Sequence, residues 1–174
     1  MDKFNLNRLT AKLDTMPVAL SLADLAVPDQ PLIYVNSAFC DLTGYDRDVV
    51  GRNCRFLQAE LTNTEARAEI RHALLHNKQA QVALHNRRKD GTQFYNLLLL
   101  HQFEKKPSGL HLSLGAQFDL GSVDPQLAEM EQKPAGDPEM QFHLKRLERI
   151  KTERRRLVSD TAIRIVSAHL AVMD

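Results

Sequence analysis

No apolar run in the 174 residues approaches the ~20 that a bilayer span requires. The first residues, Met1-Asp2-Lys3-Phe4-Asn5, lack the apolar core of a secretory signal, so the chain is expected in the cytoplasm with no membrane contact. An excess of one charge is also missing: 23 lysines and arginines face 22 acids, a net charge of +1. That balance gives no whole-chain reason to expect nucleic acid, a membrane surface or an acidic substrate, and any such argument must be local. Cysteines number only two, Cys40 and Cys54, and a reducing cytosol leaves them as free thiols. Cys40, beside Phe39 and Leu42, reads as a small buried hydrophobe. There is no Gly-rich phosphate loop, nucleophile elbow or paired-carboxylate pattern, and the chain is not expected to be an enzyme. His72 and His76 have the i, i+4 spacing of a helical metal pair. They lack the glutamate of the protease motif and a third ligand, so no metal site is expected.

What is present suits one soluble globular domain with appendages, since 43% of the residues are hydrophobic. Leu6, Leu9 and Leu13 at helical spacing before Pro17 predict an N-terminal cap helix over 1–15. Val18 to Ala23 and Leu32 to Asn36 read as strands, and Ser37 to Thr43 as a helix stopped by Gly44. Asp46 is placed to cap a further helical turn reaching Val50. Thr62-Asn63-Thr64-Glu65 fits a capping box opening a helix that ends near Asn77. Gln79 to Arg88, the Asp90-Gly91 turn and Gln93 to Phe103 form a hairpin, and Leu110 to Asp119 a last strand. The order predicts an α+β fold, an antiparallel sheet with helices on one face. Residues 121–138, rich in proline, read as a linker with at most a short helix near Gln126 to Gln132, and 139–174 as a helical extension.

One stretch concentrates chemistry: Gly51-Arg52-Asn53-Cys54-Arg55-Phe56-Leu57-Gln58 sets a thiol between an amide and a guanidinium in a short helical segment. Gln58 lies one helical turn beyond Cys54 on the same face. A cation beside a thiol lowers its pKa, so a hydrolase nucleophile is one reading, but it requires a base that none of the seven histidines is marked to supply. Arg55 and Arg71 together offer a forked clamp for a terminal phosphate. Asn86 and Asn96, on the two strands of the hairpin, offer donors and acceptors to a polar ring edge.

The eight-residue stretch closely resembles the signature of LOV (light-oxygen-voltage) domains, blue-light receptors of the PAS fold, and the resemblance covers 16–120. It implies a five-stranded antiparallel sheet, bound FMN and a covalent bond between Cys54 and the flavin in the light. It further implies that Arg55 and Arg71 contact the flavin phosphate, that Asn53, Gln58, Asn86 and Asn96 complete the polar set, and that Gln117 lies near the reactive edge of the ring. Leu57, Ile70, Leu98, Leu100 and Leu114 are the expected apolar walls. Leu98 and Ser113 stand where the family commonly has phenylalanine, and Ala23 where it has threonine. These departures bear on photoproduct lifetime rather than on flavin binding. The family's signal, protonation of the ring beside Cys54, requires the Gln117 amide to rotate or to break its hydrogen bond.

Between Lys145 and Arg156 seven basic residues face two glutamates, which reads as a solvated helix face. Ser159 or Asp160 is placed to cap a second helix with Ile163, Val166, Leu170 and Met173 as its stripe. Two apolar stripes on so small an appendage call for a partner surface, either the sheet or another copy. The expected function is a blue-light photoreceptor that forms a homodimer through its N- and C-terminal helices and signals to an unidentified protein by contact. The alternatives are a DNA-binding regulator, with the two helices as a loose helix-turn-helix, and a flavin or haem redox sensor that would not need Cys54. Nucleic acid is not favoured.

Overall fold

The computed structural model describes residues 3–58, 60, 63–122 and 138–172. Helix α1 (Lys3–Asp14) leads into β1 (Ala19–Asp24) and β2 (Leu32–Val35), followed by α2 (Ser37–Thr43). Two 3-10 turns, Arg47–Val49 and Cys54–Gln58, precede α3 (Thr64–Leu75). Strands β3 (Ala80–Arg87), β4 (Gln93–Gln102) and β5 (Leu112–Ser122) and the helix α4 (Pro138–Leu170) complete the order. All neighbours in the sheet are antiparallel, in the order β2-β1-β5-β4-β3. The five-stranded α+β fold is the one the resemblance implied.

Local chemistry explains the short helices. Gly44 ends α2 in the left-handed region at φ 72°, its N–H donating to the Cys40 carbonyl, a conformation that costs glycine little. At the other end of α2 the buried Asn36 side chain accepts from the Phe39 and Leu20 N–H groups and donates to the Leu13 and Val18 carbonyls. One amide thereby caps a helix and ties the end of α1 to the sheet. Asp46 precedes the next turn without capping it, and its carboxylate pairs with Lys89 instead. Helix α3 opens after Asn63, whose side chain brackets the His85 N–H and C=O of β3 rather than capping. Thr62, the expected cap, lies outside the described residues, as does the short helix foreseen near Gln126 to Gln132.

Strand alternation sorts β1 onto two cores. Leu20 and Leu22 pack with Leu9 and Leu13 of α1, Leu112 and Leu114 of β5, and Ala162, Val166 and Leu170 of α4. Ala19 faces the other way, toward Val35, Phe39, Val49 and Leu57. The short helices and α3 thus cover one face of the sheet, while α1 and α4 cover the other.

The extension departs from the expected pair of helices. It is one helix of 33 residues, and Ser159, expected as a cap, is mid-helix with its hydroxyl donating to the Arg155 carbonyl. The helix-turn-helix likeness fails with it, because no turn separates two helices. Its C-terminal part finds the sheet as partner surface: Val166 is fully buried and Leu170 is 5% exposed.

Candidate functional site

A cleft with about 750 Å³ of space between atoms, its mouth included, opens between the sheet and the short helices. The Cys54–Gln58 turn forms one wall, supplying Cys54, Leu57 and Gln58, with Asn53 just before it. Opposite, the strands present alternate residues: Leu84 and Asn86 from β3, Asn96, Leu98 and Leu100 from β4, and Ser113, Gly115 and Gln117 from β5. Ile70 and Leu74 of α3 close the side.

Two expected residues are not brought to this wall. Leu114 points through the sheet into the core beneath α1 and α4, because Ser113, Gly115 and Gln117 occupy the cleft-facing positions of β5. Arg71 is solvent-exposed on α3 and does not line the cleft, although its neighbour Ile70 does. Arg55 lines the cleft while largely exposed, its guanidinium 2.6 Å from the Asp29 carboxylate. Sequence reasoning missed Ser21, Leu25, Gln30, Leu32, Leu74, Leu84 and Gly115. Ser21 was open to detection, since it is the polar residue between Leu20 and Leu22 in an apolar strand.

Polar groups in the cleft are under-used. Asn86 and Asn96 are each 1% exposed, and the Oδ1 atom of each is buried without a hydrogen-bond partner. Leaving such an acceptor unpaired costs on the order of 1–3 kcal/mol, so its presence on a cavity wall points to a ligand with donors at its edge. Asn96 Nδ2 donates to Gln117 Oε1 at 3.0 Å, and Gln117 Nε2 donates to Ser21 Oγ at 3.4 Å. The Asn53 amide is held by the Asp29 carbonyl and the Arg55 N–H.

Cys54 is half-buried against the cleft. Burial pushes its thiol from the ordinary 9.0 up to about 12. A thiolate nucleophile needs a shift in the opposite direction, and among the described residues no histidine lines the cleft. The hydrolase reading is therefore unsupported. Among the described residues no cluster of His, Cys, Asp and Glu could hold a metal, and no described helix is long and apolar enough to cross a membrane.

A PAS domain family model matches residues 21–119. Blue-light-activated histidine kinase 2 of Erythrobacter litoralis is 38% identical over 128 residues, and the match spans 68% of this chain but only 37% of that protein. The LOV domain of a blue-light-activated histidine kinase from the same organism is 41% identical, with a TM-score of 0.57 over 62% of this chain and 99% of that one. The Rhodobacter sphaeroides LOV protein is 32% identical, with a TM-score of 0.65 over 97% of each chain. That last likeness extends past the sheet into the appended helices. With a matching PAS model and LOV structures aligned over nearly their whole length, the chain belongs to the LOV family of PAS domains.

Proposed function

We propose that this chain is a blue-light photoreceptor that holds FMN in the cleft, with residues 16–120 as the flavin-holding unit, 1–15 as a cap, 121–138 as a linker and 139–174 as a signalling extension. LOV domains carry a flavin chromophore. The observation that carries the reading is the convergence of the protonated Cys54 thiol with the unpaired Asn86 and Asn96 oxygens on one cleft. When bound, FMN supplies a blue-absorbing ring and the carbon to which the Cys54 sulfur bonds reversibly in the light. Cys54 keeps its proton at Sγ throughout the physiological range, so sulfur and proton reach the site together. Asn86 and Asn96 fix the ring's polar edge, Asn53 and Gln58 complete the polar set, and Leu57, Ile70, Leu98 and Leu100 enclose its faces and exclude water. Gln117 carries both a donor and an acceptor and can answer a change of protonation beside it by turning its amide. The role is sensing, since Cys54 serves only as a bond partner for a resident ring.

FMN rather than a phosphate-free flavin is supported by Arg55 at the mouth, and FMN rather than a larger flavin by the LOV resemblance. Its present partner is an exposed carboxylate, which a phosphate dianion outcompetes by forked hydrogen bonds. Arg55→Ala is expected to lower FMN affinity about tenfold while leaving riboflavin affinity unchanged, by titration of the purified chain. Equal losses for both flavins would remove the phosphate contact.

The output surface is the face that α1 and α4 present, joining two copies of the chain, with a downstream protein engaged by contact. Leu157 of α4 is 69% exposed, and Leu120 and Tyr95 on the sheet are exposed as well. A large apolar side chain exposed on a helix that otherwise packs on the sheet suits a second copy of the chain. Leu157→Glu is expected to shift the chain from dimer toward monomer in size-exclusion with light scattering, leaving flavin uptake intact. An unchanged oligomeric state would exclude this face.

A further inference from the structure

The geometry points to Ser21 as a positioning residue that partners the Gln117 amide in both of its orientations. The inference rests on the flavin reading above and concerns a residue which that reading does not use. Ser21 pairs with Gly115 across β1 and β5, and Gln117 pairs with Ala19, so Ser21 and Gln117 are diagonal neighbours on the cleft face. They are 6% and 2% exposed and both line the cleft. Gly115 keeps the space clear: a Cβ there would sit 2.9 Å from Ser21 Oγ and 3.2 Å from Leu98 Cδ1.

Asn96, Gln117 and Ser21 therefore form a hydrogen-bonded row across β4, β5 and β1. A half-turn of the Gln117 amide puts Nε2 toward Asn96 and Oε1 toward Ser21. Asn96 meets the turned amide by turning its own, which brings Oδ1 to Gln117 and presents Nδ2 to the cleft, and the Ser21 hydroxyl changes from acceptor to donor by rotating its O–H bond. Alanine or valine at position 21 satisfies neither orientation. At 3.4 Å the present bond is long, so Ser21 favours the turned amide, where its hydroxyl donates to a carbonyl oxygen. Ser21 also lies on β1, whose neighbouring Leu20 and Leu22 pack against α1 on the other face of the sheet.

The test compares Ser21→Thr with Ser21→Val, which match in shape and differ in the hydroxyl, with Ser21→Ala as a smaller control should either fail to take up FMN. The first measurement uses the chain without flavin: the side-chain amide proton resonances of Gln117, by NMR, should stay near wild type in the Thr variant and move in the Val and Ala variants. The second uses the FMN-loaded chain: recovery in the dark after bleaching should be about fivefold faster for Val than for Thr, the effect of one net hydrogen bond. Gly115→Ala, which displaces the hydroxyl, should copy Val. Equal Gln117 resonances and equal recovery in the Thr and Val variants would overturn the assignment. A wild-type chain that takes up FMN and never bleaches would instead refute the photochemical reading, and the flavin-free measurement would still decide the contact.

Discussion

Cys54→Ala is expected to take up FMN and stay yellow under blue light, with bleaching abolished rather than slowed. Among the described residues that line the cleft Cys54 carries the only thiol, and alanine leaves the polar side chains around it in place. Stability should change with the opposite emphasis. The folded chain keeps the Cys54 proton up to about pH 12 whereas an ordinary thiol releases it near 9.0. Below the lower value both states hold the proton and stability does not depend on it. Between the two values the unfolded chain binds fewer protons, so wild-type stability falls as pH rises, by up to about 1.4 kcal/mol per pH unit. The flavin-free alanine variant lacks that component. Urea unfolding of both chains at about pH 8 and about pH 10 should show the wild type losing more. Parallel losses would mean that the thiol is not buried as described.

Asn86→Leu is expected to move two quantities in opposite directions. In the flavin-free chain it replaces a buried oxygen without a partner by an apolar side chain in a wall already shared with Leu84 and Leu98, so stability should hold or rise. Towards FMN it removes an acceptor and strands a donor of the ring, lowering affinity about tenfold to a hundredfold. Unfolding of the flavin-free variant and fluorescence titration with FMN read the two effects separately. A variant that is destabilised and binds normally would show that Asn86 serves the fold rather than the ligand.

The strands, the helix stopped at Gly44 and the Cys54 wall were legible because each depends on local signals: alternation, a residue tolerant of positive φ, and an eight-residue motif. Asn86 and Asn96 were singled out by the family resemblance rather than by any local signal, and the hairpin carries both to the cleft wall. Leu114 was placed on the wrong face because β5 is buried on both faces from Leu112 to Gln117, and alternation carries no information when neither side meets water. Arg71 lies one residue, about 100° of helix, beyond the cleft-lining Ile70 and is exposed. Ser159 and Asp160 read as a helix start, yet their side chains also tolerate a helix interior. The continuous α4 follows from tertiary packing of Ala162, Val166 and Leu170 against the sheet, which no local pattern encodes. Ser21 escaped notice because its meaning lies in a diagonal contact to a strand some ninety residues away.

The central claim is that Cys54 bonds a resident flavin under blue light, and the absorption spectrum of the wild-type FMN-loaded chain before, during and after illumination tests it most directly. The structure predicts loss of the blue absorption band in the light and its full return in the dark. A blue band that persists under illumination, in a chain shown to hold FMN and an intact Cys54 thiol, would contradict it.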